Sequence, residues 1–176
     1  MNPRESDRPM RQAGREIIGR AALDDVLVSA RILFLALRDE PAPYVIPVCF
    51  GFEADTLYVH SALAGTKVDL IRSHPVVGFS ACTDMTVTPG SAACDFTTAA
   101  RSVVGTGRAR IVEDEAERIR ALDSIMRHYT GKEFGRDAYR PGPLSRTCVI
   151  AIRMDTLRGK NTAKPPMQAP SPAQSK

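Results

Sequence analysis

The chain has 176 residues, with 24 Lys or Arg, 20 Asp or Glu and a net charge of +4 at neutral pH. This length suits one domain with its own hydrophobic core, and no apolar run reaches the length of a membrane span. The two signs of charge are interspersed, so the small excess permits an anionic ligand but does not indicate nucleic acid. We therefore predict no membrane and no nucleic-acid partner.

The two ends of the chain differ in composition from its middle. Residues 1–13 are rich in Arg, Pro, Ser and Asp, and residues 161–176 are dominated by Pro, Ala, Ser, Gln and Lys. Neither end has enough apolar residues to form a core. The sequence thus predicts a flexible arm over 1–13, a single folded domain over 14–160 and a disordered tail over 161–176.

The first half of the domain alternates short strands with short helices. Apolar residues at helical spacing predict a helix over 15–27, followed by strands over 31–37, 44–52 and 56–60. Leu57 and Val59 are expected on one face of the third strand. A short helix is predicted over 65–73 and stops before Pro75.

The second half is dominated by strands and one long helix. Strands are predicted over 76–82, 101–112 and 147–154, and residues 83–98 are expected to form a long loop. Asp114 and Glu117 form a capping-box-like pair that begins a helix, and Gly131 ends it. Because the strands mostly follow one another, the order favours an antiparallel β-barrel decorated with helices over a parallel α/β sheet.

The cysteines and histidines indicate the cellular compartment and whether the chain binds a metal ion. The four cysteines form no C-x-x-C pair and no zinc-like cluster with the three histidines, so we predict no metal site. Three of the cysteines occupy apolar, strand-like positions where cysteine acts as a small hydrophobe. Residues 1–15 are polar and charged and lack the apolar core of a signal peptide, and we expect reduced thiols and a cytoplasmic location. The cysteines are Cys49, Cys82, Cys94 and Cys148.

The strongest candidate for a binding site is the segment from His60 to Lys67. A strand ends in a loop of small residues that opens directly into a helix, whose unpaired N–H groups favour a phosphate. Ser61 and Thr66 offer hydroxyl groups, Gly65 allows close approach of the backbone, and Lys67 adds a positive charge. The alternative is an ordinary strand-to-helix turn with an exposed lysine.

Two further segments are weaker candidates. Arg101 and Ser102 begin a long strand, where a guanidinium beside a hydroxyl could bind an anion, although this segment taken alone favours a solvated arginine at a strand end. Ile46, Pro47 and Val48 form a flat apolar stretch in which proline predicts an edge strand or a bulge. An aromatic ring could stack there, or the segment could be a plain edge strand.

Taken together, these segments resemble the pyridoxamine 5'-phosphate oxidase-like flavoproteins, and within them the 5-nitroimidazole reductase group. The resemblance runs from about Arg15 to Lys160, in the same order and spacing. It is carried by Arg15-Glu-Ile17, Pro43-Tyr-Val-Ile-Pro-Val-Cys-Phe-Gly-Phe52, Leu57-Tyr-Val-His-Ser-Ala62, Gly65-Thr-Lys67, Arg101-Ser-Val-Val-Gly-Thr-Gly-Arg-Ala-Arg110, Asp123-Ser-Ile-Met-Arg-His-Tyr129 and Thr147-Cys-Val-Ile-Ala-Ile-Arg153.

The resemblance implies a single-domain FMN-binding split barrel, mainly β with helices, that binds its cofactor at the interface of a homodimer. It implies that the phosphate lies at the His60–Lys67 segment and that Ile46, Pro47 and Val48 lie along the flavin ring. The strand start at Arg101 and Ser102 would complete the site. His60 is implied as the catalytic residue.

The function implied is that of a flavin-dependent reductase of a small acceptor, with a nitroaromatic as one candidate. A non-enzymatic flavin carrier or sensor is the alternative from a different class. The same barrel could also hold FAD, a deazaflavin or haem. Pyridoxal phosphate synthesis ranks low because the C-terminal part has no convincing cluster for a substrate phosphate, and Cys94 has no assigned role.

Overall fold

A computed structural model describes residues 9–83 and 85–162 of the chain. Most of the predicted N-terminal arm and of the predicted C-terminal tail lies outside these residues. Asn161, the first residue of the predicted tail, is the last residue of a strand, and Thr162 still donates its backbone N–H to the carbonyl of Ala100 at 2.9 Å.

The described residues form ten strands and four α-helices. The strands are β1 (Glu16–Ile17), β2 (Leu33–Leu37), β3 (Tyr44–Val48), β4 (Gly51–Glu53), β5 (Thr56–Ala62), β6 (Val76–Cys82), β7 (Thr86–Thr88), β8 (Thr97–Ala99), β9 (Arg101–Ile111) and β10 (Thr147–Asn161). The helices are α1 (Arg20–Ser29), α2 (Thr66–Ser73), α3 (Glu115–Thr130) and α4 (Pro141–Ser145).

The main sheet curls into a half-open barrel. Its strand order is β3-β2-β6-β9-β10-β5-β4, with β1 added to β10, and every pair is antiparallel. β3 and β4 lie at opposite ends of this order, yet only Cys49 and Phe50 separate them in the chain. The two edges of the sheet must therefore approach each other, which confirms the predicted antiparallel, helix-decorated barrel.

The core fills the inside of this barrel. Alternate residues of the strands point inward, and α1 and α2 pack apolar side chains against them. Fully buried members of this core are Val26, Leu27, Leu33, Leu35, Phe50, Leu57, Val59, Ile150 and Ile152. Leu57 and Val59 thus share a face, as predicted.

Helix α3 covers the outside of the barrel. Asp114 accepts the N–H of Glu117 at 2.7 Å and caps its N-terminus, while Gly131 ends it with a φ of +71°, as predicted. The helix approaches β4 so closely that a Cβ at Gly51 would lie 2.5 Å from the backbone nitrogen of Ile125. Only glycine fits at that crossing.

The start of the domain differs from the predicted helix over 15–27. Glu16 and Ile17 form β1, which pairs with Lys160 and Gly159, and Ile18 is 77% exposed. Helix α1 begins only at Arg20, because Gly19 has a φ of +92° and interrupts the chain between the two elements.

Three other boundaries also differ. The predicted strand over 44–52 is divided into β3 and β4, because the chain passes there from one edge of the sheet to the other. The predicted loop over 83–98 contains the two strands of a hairpin, β7 and β8. The last strand continues past Met154 to Asn161, with a register shift between Met154 and Thr156.

Candidate functional site

A gap opens in the barrel where β3 leaves the edge of β5. β4 pairs Gly51 with Tyr58, and continuing that register would place Val48 opposite Ser61. Instead, in the part of the chain that the structure describes, β3 pairs only with β2, and β5 beyond Tyr58 pairs only with β10. We call the gap between Ile46–Val48 and His60–Ala62 the split. Both strands turn an unpaired backbone edge toward it.

One side of the split is an apolar edge strand. Ile46 and Val48 are half-buried against the core, and Pro47 is exposed on the outer face, paired with Phe34 of β2. The expectation that Pro47 lies on an edge strand is confirmed. Proline costs no ladder hydrogen bond at an edge, so this strand presents a smooth surface with free backbone carbonyl groups.

At the other side, the loop after β5 leads into α2. Gly65 has a φ of +122° and supplies no side-chain cap. Val68 and Asp69 donate their backbone N–H groups to the Gly65 carbonyl at 2.8 and 3.1 Å. The N–H groups of Thr66 and Lys67 have no acceptor in the described part of the chain. The first turn of α2 is therefore free to bind an anion.

Lys67 is a half-buried cation beside a buried thiol. Burial lowers the pKa of Lys67, and the nearby Cys148 opposes this effect. Cys148 is 5% exposed and pairs with Ser61 across β10 and β5, so Ser61 and Lys67 lie around the same point. No carboxylate within residues 9–83 and 85–162 approaches Lys67 within 4.0 Å.

His60 lies at the same end of β5 but on the other face. It pairs with Val149 and alternates with Ser61, so it shares the outer face of the sheet with Tyr58. Its ring is exposed and makes no hydrogen bond to another described residue. His60 is therefore available to a ligand in the split rather than bound within the fold.

Arg101 and Ser102 lie at the far end of the barrel. Arg101 pairs with Asn161 and His60 with Val149, so about 12 residues of β10, roughly 40 Å along the strand, lie between the two places. The guanidinium of Arg101 forms an ion pair with Asp25 and contacts Ser29 Oγ at 3.4 Å. Within one chain, the structure brings together the β3, β5 and α2 candidates but not Arg101 and Ser102.

Arg118 of α3 is a further residue of this region, and no sequence motif indicated it. Its Nε is buried and has no hydrogen-bond partner in the described part of the chain. Burial raises the pKa of Cys148, while the charges of Arg72, Lys67 and Arg118 act against that rise. Only its helical spacing could have indicated its burial, because Arg118 precedes Ala121 and Leu122 by one turn on the buried side of the helix.

The outer face of β3, β2, β6 and β9 is an apolar shelf. Phe34 pairs with Ser80, which pairs with Val104, and Phe34 and Val104 are 47% and 55% exposed. Val45, 56% exposed, belongs to the adjacent row. A groove of about 1130 Å³ runs along this face. Contiguous apolar surface of this kind is typical of an interaction site.

Helices in the described part of the chain are too short or too polar to cross a membrane. Within the same residues, no group of three or more His, Cys, Asp or Glu side chains is arranged to hold a metal ion.

Solved structures of similar fold come from several bacteria. A candidate 5-nitroimidazole antibiotic resistance protein from Bacteroides thetaiotaomicron VPI-5482 is 28% identical, with a TM-score of 0.73 over 83% of this chain and 86% of its own. A flavocytochrome from Azotobacter vinelandii is 20% identical, with a TM-score of 0.78 over 96% and 78%. An FAD- and haem-binding protein from Mycobacterium smegmatis is 20% identical, with a TM-score of 0.73 over 88% and 77%.

Sequence comparison gives the family. No curated protein sequence matches the chain significantly. The sequence profile of pyridoxamine 5'-phosphate oxidase, however, matches residues 19–161, and the half-open barrel has the split-barrel fold of these proteins. The resemblance drawn from the sequence is thereby confirmed, and the chain belongs to the pyridoxamine 5'-phosphate oxidase family.

Proposed function

We propose that this chain is a cytoplasmic homodimer that binds FMN in the split and reduces a small acceptor, with nitroaromatic compounds as the leading class. The observation that carries the proposal is Lys67, a half-buried cation with no counter-ion among the described residues, beside N–H groups of α2 that have no acceptor there. A buried charge without a partner is costly, and an anionic ligand would remove that cost.

The residues around Lys67 fit a phosphate. Backbone N–H groups of Thr66 and Lys67 find no acceptor within residues 9–83 and 85–162, and both belong to the positive end of α2. Ser61 lies beside this point through its pairing with Cys148, and Thr66 is exposed at the start of the helix. Gly65 adopts a φ of +122°, a conformation that favours glycine and leaves the loop open to a ligand.

The β3 side of the split fits a planar ring. Ile46, Pro47 and Val48 offer apolar surface, and their edge leaves backbone carbonyl groups available. A flavin needs this combination, because one end of its ring system is apolar and the other carries hydrogen-bonding atoms. When bound, FMN would supply the redox chemistry. The chain would orient the ring, exclude water and, through exposed His60, position the acceptor or give it a proton.

Two observations support a homodimer. The shelf around Phe34, Val45 and Val104 exposes apolar side chains, and exposed apolar surface of this kind often binds another protein chain. In addition, Arg101 and Ser102 lie at the opposite end of β10 from Lys67, so a site that uses both places needs a second copy of the chain. We propose that this copy covers the shelf and places its Arg101 and Ser102 at the split.

A nitroaromatic acceptor is proposed from the relative in Bacteroides thetaiotaomicron, which is described as a candidate 5-nitroimidazole resistance protein and is 28% identical. The two haem-containing relatives are 20% identical, and haem is the second cofactor to test. In the described residues His60 is exposed at the split.

The binding claim is tested by titrating the purified protein with FMN and with riboflavin, which lacks the phosphate. We expect FMN to bind more tightly, and Lys67→Gln to weaken FMN binding by about ten- to a hundredfold, as for a charge-assisted hydrogen bond, without affecting riboflavin. Lys132→Gln, at an exposed lysine beyond α3, is the control. Equal affinity of the parent for FMN and riboflavin would contradict the proposed phosphate site.

The catalytic claim needs a separate assay, because a flavin carrier or sensor would pass the binding test. With FMN bound, a reduced nicotinamide cofactor and a nitroaromatic acceptor, an enzyme turns over many times per site. A carrier binds flavin without repeated acceptor reduction. If His60→Gln lowers the turnover rate and leaves FMN affinity unchanged, the histidine acts on the acceptor. If no turnover is measured with several acceptors, the carrier is favoured.

A further inference from the structure

We propose that Arg118 of α3 is a second phosphate-binding residue, which contacts the terminal phosphate of the flavin from the side opposite Lys67. The inference rests on the proposed FMN site and extends it to a residue outside the segments that resemble the family. It makes the site selective for a phosphomonoester, the group that distinguishes FMN from riboflavin.

The position of Arg118 follows from how α3 packs. Ala121 packs with Val149 of β10, and Arg118 precedes Ala121 by one turn on the same side of the helix. Val149 pairs with His60, and the preceding residue, Cys148, pairs with Ser61. Arg118 therefore lies near the end of β10 and β5, on the face of the sheet that carries His60.

The side chain of Arg118 is incompletely satisfied. Its Nε is buried and finds no acceptor among the described residues, and no carboxylate there lies within 4.0 Å of its guanidinium. Buried donors almost always have a partner in a native protein. An anion bound by Arg118 and Lys67 together would satisfy this buried donor.

Charge balance points to the kind of anion. Lys67 and Arg118 both lie close enough to influence the buried thiol of Cys148, and the exposed Arg72 of α2 adds a third positive charge nearby. A phosphomonoester carries about −1.5 to −2 charges at neutral pH, which one lysine cannot balance. A guanidinium also presents several donors in a plane, which suits phosphate oxygens.

The test compares FMN and riboflavin binding in Arg118→Gln, with Arg120→Gln as the control on the exposed side of the same helix. We expect Arg118→Gln to weaken FMN binding by about ten- to a hundredfold and to leave riboflavin binding unchanged. Arg118→Lys keeps the positive charge but lacks the planar N–H donors of a guanidinium, so it should retain part of the FMN affinity that Arg118→Gln loses. Arg120→Gln should bind both flavins like the parent.

The inference is overturned if Arg118→Gln binds FMN like the parent, or if FMN and riboflavin affinity fall by the same factor, which indicates a structural role. A double-mutant cycle with Lys67→Gln adds a second criterion, since two residues on one phosphate should show non-additive effects. If Lys67→Gln weakens FMN binding and Arg118→Gln does not, only the inference fails. If neither substitution matters, the proposed phosphate site fails as well.

Discussion

The hydroxyl oxygen of Tyr129 accepts a hydrogen bond from the backbone N–H of Phe50 at 3.1 Å. The same hydroxyl donates to the carbonyl oxygen of Arg31 at 2.7 Å. Phe50 is one of the two residues that join β3 to β4, so the end of α3 holds the chain where the two edges of the sheet approach each other. The position at which the split begins therefore depends on this pair.

Substitution Tyr129→Phe should destabilise the fold by about 1–3 kcal/mol, because it leaves the Phe50 N–H and the Arg31 carbonyl without their partner. Burial raises the pKa of Tyr129 to about 12, so the hydroxyl is present as a donor at neutral pH. FMN dissociation should also become faster, since the split is no longer held at Phe50. Chemical denaturation and stopped-flow dissociation measure the two effects.

Tyr139→Phe provides the matched control. The Tyr139 hydroxyl donates to Asp123 at 2.7 Å, away from the link between β3 and β4. This substitution should lower stability without altering FMN dissociation. Equal dissociation rates in the parent and in Tyr129→Phe would show that Tyr129 does not position the split.

Gly51→Ala tests how closely α3 approaches the barrel. An added Cβ would lie 2.5 Å from the Ile125 nitrogen and 2.7 Å from Ser124 Oγ, so the helix backbone itself would have to move. We expect a loss of about 1–3 kcal/mol of unfolding free energy, as in other overpacked sites. Gly142→Ala, where nothing lies within 4 Å of the added carbon, is the control. A Gly51→Ala protein as stable as the parent would contradict this packing.

A pair of substitutions separates the two roles open to Arg101. Its guanidinium forms an ion pair with Asp25, and both side chains are partly exposed, so the pair contributes at most about 1 kcal/mol to stability. If Arg101 completes the flavin site of the partner subunit, Arg101→Gln should weaken FMN binding at least severalfold and Asp25→Asn should not. If both variants bind FMN like the parent, Arg101 serves only to anchor α1.

Acid should destabilise the fold partly through His128. Its Nε2 lies 2.7 Å from the Ala30 carbonyl oxygen, and burial lowers its pKa, with the charge of Arg31 adding to the effect. The unfolded chain, with a histidine pKa near 6.5, then binds more protons, so stability is lost as the pH falls below about 6.5 toward the folded pKa.

The corresponding measurement is urea unfolding between about pH 7.5 and 5.5, around the ordinary histidine pKa. His128→Gln, which retains a donor for Ala30, should lose less stability over this range than the parent. Identical losses in the two proteins would exclude His128 as a source of the pH dependence.

Sequence patterns predicted the parts of the fold that depend on local rules. Helix α3 has its cap at Asp114 and its stop at Gly131, and the turn at Gly65 precedes α2. Local patterns could not predict β1, because two residues form a strand only through pairing with Lys160 and Gly159, which lie far away in the sequence.

The candidate site shows the same division. Gly65, Thr66 and Lys67 are adjacent in sequence, so their shared surface follows from one turn and one helix start. Arg118 could not be found in that way, because its position near the end of β10 depends on how α3 packs against that strand. The ion pair of Arg101 could not be predicted either, because its partner Asp25 is 76 residues away and nothing near Arg101 in the sequence indicates an ion pair.

Visible absorption of the freshly purified protein, with identification of the chromophore released on denaturation, is the most direct test of a flavin in the split. We predict a flavin spectrum and release of FMN on denaturation. Protein from which the flavin has been removed should bind added FMN tightly, and Lys67→Gln should weaken this binding. A haem or deazaflavin spectrum would contradict the cofactor while leaving the barrel. A colourless protein that takes up no FMN would contradict the proposed function itself.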